Sequence, residues 1–131
     1  MAKTHKRAIG DAGEGVVCRY LEGKGYRIVG RNYWKPWGEI DIVAEKGDLT
    51  IFIEVKTVSR EMDGEGISRE TFRPEENMHP DKVKRLHRTI QTYLLEKKVP
   101  EARPWRLDLA CAYLDFKTLQ ARVEMLENVV L

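Results

Sequence analysis

The fold is decided by the stretch Gly38-Glu39-Ile40-Asp41-Ile42-Val43-Ala44 and, after a polar turn, by Ile51-Phe52-Ile53-Glu54-Val55-Lys56. Apolar and polar residues alternate along both segments, which is typical of β-strands with one buried face. The turn Glu45-Lys46-Gly47-Asp48 has the composition of a hairpin connection. We therefore predict an antiparallel hairpin with strands over 39–44 and 49–58.

The alternation divides the side chains of this hairpin between two faces. The apolar face is predicted to carry Ile40, Ile42, Ala44, Leu49, Ile51, Ile53 and Val55. Asp41, Glu54 and Lys56 share the other face, with Glu39 at its rim. If the loop is centred on Lys46-Gly47, Asp41 faces Phe52 and lies diagonal to Glu54.

Two converging carboxylates and a nearby backbone carbonyl form a hard-oxygen site suited to Mg²⁺. Such an ion polarises a phosphoryl oxygen and supplies hydroxide near neutral pH. Lys56 could orient the attacking water or stabilise charge in the transition state. The alternative is an exposed salt-bridge cluster, but Val43, Phe52 and Val58 on the same face argue against full exposure.

A helix is predicted over residues 6–23, because its apolar residues recur at helical spacing. Glu14 lies within the arc that Val17, Cys18 and Leu21 span on this helix. An unpaired buried carboxylate is costly. We therefore expect Glu14 to reach over the sheet toward Asp41 and Glu54 and to share a cation with them.

The remaining segments complete an α-β-β-β-α-β-β order. Strands are predicted over 26–31, 105–113 and 119–127, a connection over 32–38, a long flexible loop over 59–79, and a helix from Pro80 to about Lys98. This order predicts an α+β sandwich around a mixed sheet. A length of 131 residues predicts a single domain over 1–131.

Composition excludes several classes of protein. A hydrophobic fraction of 42% and a net charge of +2 exclude a disordered chain and a histone-like coat of positive charge. Cys18 and Cys111 cannot form a disulfide framework and lack zinc-site spacing. No apolar run is long enough for a membrane span, and no signal-type apolar core follows the basic start. We expect a cytoplasmic protein with no membrane association.

Two groups of side chains outside the hairpin have open interpretations. Lys82, Lys84, Arg85 and Arg88 form a basic helix face that either contacts DNA phosphates or is simply solvated. Trp34 and Trp37 could stack on unpaired bases, or pack as a lid or a dimer contact. Asp108 is expected to pair with Arg106 or Lys82.

The chain resembles the YraN-like family of small bacterial proteins, which is similar to the Holliday-junction-resolvase branch of the PD-(D/E)xK nuclease superfamily. The matching motifs occur in one order over residues 10 to about 112: Gly10-x-x-Gly13-Glu14, Tyr20-Leu21, Gly25-Tyr26, Arg31-Asn32, Gly38-Glu39-Ile40-Asp41, Glu54-Val55-Lys56, Lys82 with Leu86 and Tyr93-Leu94, and Arg106-Leu107-Asp108. Val58 departs from the family, since many members carry Arg there.

The resemblance implies a restriction-endonuclease-like αβββαβ core with a metal site. Glu14, Asp41, Glu54 and the Val55 carbonyl would bind Mg²⁺ or Mn²⁺, with Lys56 as the catalytic lysine. The implied substrate is structured or branched DNA, and resolvase-like relatives suggest a homodimer. The sequence thus predicts a metal-dependent endonuclease. The alternatives are a nucleic-acid-binding module with little turnover and a protein-interaction component that uses Trp34 and Trp37.

Overall fold

A computed structural model describes residues 4–60 and 79–129. The elements are α1 (His5–Gly23), β1 (Arg27–Lys35), β2 (Gly38–Lys46), β3 (Leu49–Arg60), α2 (Pro80–Glu96), β4 (Trp105–Asp115) and β5 (Gln120–Leu126). The predicted α-β-β-β-α-β-β order is therefore confirmed. Within the described ranges, neither helix combines the length and apolar character needed to cross a membrane.

The five strands form one mixed sheet in the order β1-β2-β3-β4-β5. β3 and β4 are parallel, whereas the other neighbouring pairs are antiparallel. Parallel neighbours cannot be joined by a tight turn. The chain that connects β3 to β4 includes α2, and α2 packs on one face of the sheet.

The helices cover opposite faces of the sheet. Val17, Cys18 and Leu21 of α1 pack on an aliphatic cluster that includes Ile42, Ala44, Ile51, Ile53, Ala110, Ala112 and Leu114. Leu86 and Ile90 of α2 pack on the other face against Ile40, Val43, Phe52 and Leu107, with aromatic residues around them. This three-layer arrangement is the predicted α+β sandwich.

Two glycines let the helices approach the sheet closely. A Cβ atom on Gly13 of α1 would lie 2.0 Å from Thr57 Oγ1 on β3. A Cβ atom on Gly38 of β2 would lie 2.5 Å from Thr89 Oγ1 on α2. Real Cβ atoms do not tolerate such distances, so any larger residue would push the helix outward or displace the threonine.

Several predicted boundaries are wrong. Residues 32–35 belong to β1 instead of a connection, because Pro36 is the residue that ends the pairing with β2. β3 continues through Ser59 and Arg60, which were assigned to the loop, because it pairs with β4 as far as Asp115. α2 ends at Glu96. The rest of the predicted flexible loop, residues 61–78, lies outside the described residues.

The predicted register of the β2–β3 hairpin is also wrong. The pairs run from Lys46↔Leu49 to Ile42↔Ile53, so Phe52 faces Val43 and not Asp41. The loop is Gly47-Asp48, with Gly47 at φ 59°, whereas a loop centred one residue earlier had been assumed. The resulting shift is two residues, which preserves the face of each side chain.

Ile40 departs from the predicted alternation. It packs with Val43 and Phe52 on the α2 face, whereas Ile42 and Ala44 pack on the α1 face. Strict alternation along β2 therefore fails between Ile40 and Val43. Asp41 lies at this irregular position.

Candidate active site

Asp41 lies where β2 separates from β3. The pairing of the two strands reaches Ile42↔Ile53, and Asp41 is the next residue of β2. Beyond this point the Asp41 side chain, instead of the β2 main chain, accepts a hydrogen bond from β3: the Val55 N–H donates to Asp41 Oδ2 at 2.7 Å. The carboxylate is thereby fixed beside β3, next to Glu54.

Asp41 is the most strongly perturbed acid of the site. Burial raises its pKa to about 8, and the negative charge of Glu54 adds to this rise. The hydrogen bond from Val55 opposes the rise, whereas Glu14 and Glu39 reinforce it. Carboxylates from α1, β2 and β3 thus act together on the one carboxyl group of Asp41.

Glu54 and Asp41 both line a cavity of about 370 Å³. The cavity is bounded by Gly38, Glu39, Asp41, Glu54, Lys82, Arg85 and Leu86. Lys82 Nζ lies 2.7 Å from Glu54 Oε1, an ion pair between α2 and β3. Acids of the sheet and bases of α2 therefore face each other across one cleft.

Glu14 is buried among the apolar residues of α1, as predicted, with 7% of its surface exposed. Burial raises its pKa, whereas the positive charge of Arg31 opposes the rise and Glu39 adds to it. The Asn32 side-chain amide, oriented by its hydrogen-bonding partners, donates to Glu14 Oε1 and to Glu39 Oε1, both at 2.8 Å. Glu14 is thus anchored to the strands by Asn32.

Lys56, the predicted catalytic lysine, lies on β3 two residues beyond Glu54. It is half-buried and sits level with Cys111 of β4. Burial raises the pKa of the Cys111 thiol, and the Lys56 charge acts in the opposite direction. The described residues that line the cavity do not include Lys56.

The four basic residues predicted to form one face of α2 have different surroundings. Lys82 and Arg85 line the cavity, and Lys84 is exposed. The Arg88 guanidinium lies 4.0 Å from the centre of the Trp37 ring, a cation–π contact. Trp34 is 66% exposed, whereas Trp37 is half-buried. The expected pairing of Asp108 with Arg106 is confirmed at 3.0 Å.

The cavity carries two carboxylates of the oxygen-ligand type that a magnesium ion takes. Residues 4–60 and 79–129 contain no group of three or more His, Cys, Asp or Glu side chains arranged to hold a metal ion. Mg²⁺, however, is usually bound through one or two carboxylates, with water and substrate phosphate completing its shell. Asp41 and Glu54, which line one cavity, satisfy that requirement.

Sequence reasoning gave no role to Asn32, which it placed in a connection. In the sequence, Arg31-Asn32 is only one part of the family motif. The available signal was the residue type, because Asn tolerates the left-handed backbone and carries two amide donors. Of its partners, Glu39 lies on the adjacent strand β2 but Glu14 lies on α1, so the joint contact depends on how the helix packs and has no local sequence signature.

Two helices on opposite faces of a mixed five-stranded sheet, with Asp41 and Glu54 at the opening between β2 and β3, define a restriction-endonuclease-like α+β fold. The sequence model of the uncharacterised protein family UPF0102 matches residues 13–113. The chain belongs to this family, which confirms the YraN-like resemblance.

Similar proteins occur in diverse bacteria. A UPF0102 protein of Moorella thermoacetica is 36% identical over 128 residues, 98% of each chain. One from Wolinella succinogenes is 37% identical over 93 residues, 71% of this chain and 76% of its own. One from Alkaliphilus metalliredigens is 40% identical over 91 residues, 70% of this chain and 73% of its own.

Proposed function

We propose that the protein is a metal-dependent endonuclease that hydrolyses phosphodiester bonds in structured or branched DNA. The observation that carries this proposal is the cleft in which Asp41 and Glu54 face Lys82 and Arg85. Paired carboxylates attract a divalent cation, and neighbouring basic side chains attract the phosphates of a nucleic acid.

Asp41 and Glu54 would hold Mg²⁺ or Mn²⁺, with Glu14 as a third carboxylate close by and the Val55 carbonyl as a further oxygen. A bound divalent ion supplies polarisation of a phosphoryl oxygen and hydroxide near neutral pH. Asp41 is suited to its role because the Val55 N–H fixes one of its oxygens and leaves the other available. Lys56, two residues beyond Glu54, would stabilise negative charge that develops on the phosphate.

Lys82 and Arg85 would position the DNA backbone. Lys82 is engaged by Glu54 at 2.7 Å, so its charge is largely committed while no divalent ion is present. A cation held by Glu54 would weaken that pair and free the ammonium group for phosphate. DNA affinity is therefore expected to increase in the presence of the divalent ion and to fall with rising salt.

The proposal is tested by cleavage of labelled branched, flapped and linear DNA with Mg²⁺ or Mn²⁺. The wild type is compared with Asp41→Asn, which keeps an oxygen for the Val55 N–H, and with Lys56→Ala. The matched control is Asp48→Asn, at an exposed position of the β2–β3 turn. We expect Asp41→Asn to reduce cleavage by at least about 100-fold, in the range of strong electrostatic catalytic effects.

Calorimetric titration of the protein with Mg²⁺ and Mn²⁺ accompanies the cleavage assay. Loss of cleavage in Asp41→Asn together with weaker cation binding supports the proposal. If the wild type cuts none of the substrates and binds neither ion, the endonuclease proposal is wrong. Equal activity of Asp41→Asn and Asp48→Asn would show that the hydrolysis arises elsewhere.

A second candidate is a nucleic-acid-binding module with little turnover. It is favoured by the Glu54–Lys82 ion pair and by the position of Lys56 outside the cavity lining. In this case DNA affinity would be sensitive to salt, would not need a divalent ion, and would rise in Glu54→Ala because Lys82 is released from its ion pair. Binding of another protein through the exposed Trp34 would instead leave DNA affinity undetectable in both the wild type and Glu54→Ala.

A further inference from the structure

Asn32 combines an unusual backbone with an unusual side-chain environment. Its φ is 54°, in the left-handed region that most residues avoid. The other described non-glycine residues with positive φ are Lys98, Leu119 and Asn128, and all three lie outside helices and strands. Asn32 lies inside β1, between residues that pair with β2. Such backbone strain inside an element is often kept for function.

The amide nitrogen of Asn32 is shared by two carboxylates. It donates to Glu14 Oε1 of α1 and to Glu39 Oε1 of β2, each at 2.8 Å. Hydrogen bonds to ionised acceptors are stronger than neutral ones. Two carboxylates are thus held on one neutral donor, each through one of its oxygens.

The two carboxylates held by Asn32 both act on Asp41. Glu14 and Glu39 are among the charges that perturb the Asp41 carboxyl group, and Glu39 also lines the cavity. The amide of Asn32 donates to Glu14 and Glu39. These two carboxylates therefore connect Asn32 to the site.

We propose that Asn32 is a positioning residue that fixes Glu14 and Glu39 near Asp41 and thereby sets the affinity of the site for a divalent cation. This inference rests on the proposed function, since it concerns the same site. It assigns roles to Asn32 and Glu39 that are distinct from those of the ligands. In metal sites, partners that orient the ligands typically contribute 10-fold to 100-fold to metal affinity.

The test is calorimetric titration of the full chain with Mn²⁺ and with Mg²⁺. Asn32→Gly retains the left-handed backbone but removes the amide. Asn32→Ser retains one hydroxyl donor, which can serve only one carboxylate. Asn128→Gly is the matched control, because Asn128 also has a positive φ, 57°, and its main chain contacts Asp108 on a different strand.

We expect the dissociation constant for the cation to rise about 10-fold or more in Asn32→Gly. Asn32→Ser is expected between Asn32→Gly and the wild type, and Asn128→Gly to match the wild type. A merely structural role would lower the melting temperature of Asn32→Gly without changing cation affinity at a temperature where the variant is folded.

The possible failures can be told apart. Cation binding by the wild type with unchanged affinity in both Asn32 variants overturns the positioning role and leaves the proposed function standing. An equal loss of affinity in Asn128→Gly overturns it as well, because the effect would then be general. Absence of cation binding by the wild type overturns the positioning role together with the metal site itself.

Discussion

Each helix approaches the sheet closely at a contact between a glycine and a threonine. The two contacts differ in which of these residues lies in the helix and which lies in the strand. On the α1 side the glycine is in the helix and the threonine in the strand, Gly13 against Thr57. On the α2 side the glycine is in the strand and the threonine in the helix, Gly38 against Thr89. Each glycine is followed by a glutamate, Glu14 or Glu39, and Asn32 binds both.

The difference between the two contacts lies in what surrounds them. The contact between Gly13 and Thr57 borders the aliphatic cluster under α1, and the neighbouring Glu14 is buried. The α2 contact borders the cavity, and Arg85 and Lys82 line it. The close approach of α1 therefore accompanies the burial of Glu14, whereas the close approach of α2 places Lys82 and Arg85 at the cavity.

The largest effect of a single substitution on stability is expected from Gly13→Ala on the α1 side. The new Cβ would lie 2.0 Å from Thr57 Oγ1 and 2.7 Å from its Cγ2, and the stiff β-branched side chain cannot rotate freely away. We expect a loss of about 3 kcal/mol in the free energy of unfolding, measured with urea. Thr57→Ala should recover part of it.

Gly10→Ala is the matched control in the same helix. Nothing lies within 4 Å of its Cβ position, so the better helix propensity of Ala should raise stability by about 0.5–1 kcal/mol. Equal destabilisation by both substitutions would mean that the contact with Thr57 is not the cause.

The second effect concerns Asp41, which lines the cavity together with Gly38. Its pKa is about 8 in the folded protein against an ordinary value of 3.8, so folding favours the neutral carboxyl. The stability that this preference contributes is fully present below about pH 4 and is lost as the pH rises through about 8. With a chelator present, we expect urea unfolding to show a loss of about 1.4 kcal/mol for each pH unit between pH 5 and about pH 8.

Asp41→Asn should remove most of this dependence on pH, because the amide does not titrate. Addition of Mg²⁺ at pH 9 should restore stability to the wild type by mass action and should have little effect on the variant. The same slope with pH in both proteins would assign the titration to other groups.

A smaller effect is expected from Gly38→Ala on the α2 side. Thr89 Oγ1 would lie 2.5 Å from the new Cβ, and its hydroxyl already donates to the Arg85 carbonyl at 2.7 Å. We expect a loss of about 1–2 kcal/mol in stability, partly relieved by Thr89→Ala. Gly30→Ala, with nothing within 4 Å of its Cβ position, is the control and should change stability little.

The smallest effect is expected from Tyr33→Phe, where the α2 face is open to solvent. Tyr33 Oη donates to Glu96 Oε2 at 2.6 Å, and Lys35 pairs with the same carboxylate at 2.8 Å. Lys35 first and Tyr33 second lower the pKa of Glu96. The variant should lose about 0.5 kcal/mol, and NMR titration should show the pKa of Glu96 moving up, but not completely, since Lys35 remains.

Much of the fold could be predicted because local pattern and global packing agree. The order of elements, the helical arc that buries Glu14, and the Asp108–Arg106 pair are all confirmed. The register failed because the hairpin composition allowed more than one loop centre. The predicted face of Ile40 is wrong because strict alternation holds only in a regular strand, and β2 is irregular beside Asp41.

The site was less accessible to sequence reasoning because its contacts are long-range. The acids of the hairpin could be selected from their spacing, since Asp41 and Glu54 lie on adjoining strands. The Lys82–Glu54 pair and the amide of Asn32 depend on how α2 and β1 pack. No periodicity in the chain encodes those distances.

The parallel pairing of β3 with β4 has a consequence for the order in which the molecule folds. Its partners, from Thr50↔Trp105 to Arg60↔Asp115, lie far apart in the chain, so their loop-closure entropy must be overcome before they gain contacts. The Asp41–Val55 hydrogen bond spans only 14 positions. We expect the acids to meet during early hairpin formation, and Lys82 to neutralise Glu54 only after the slow crossover has docked.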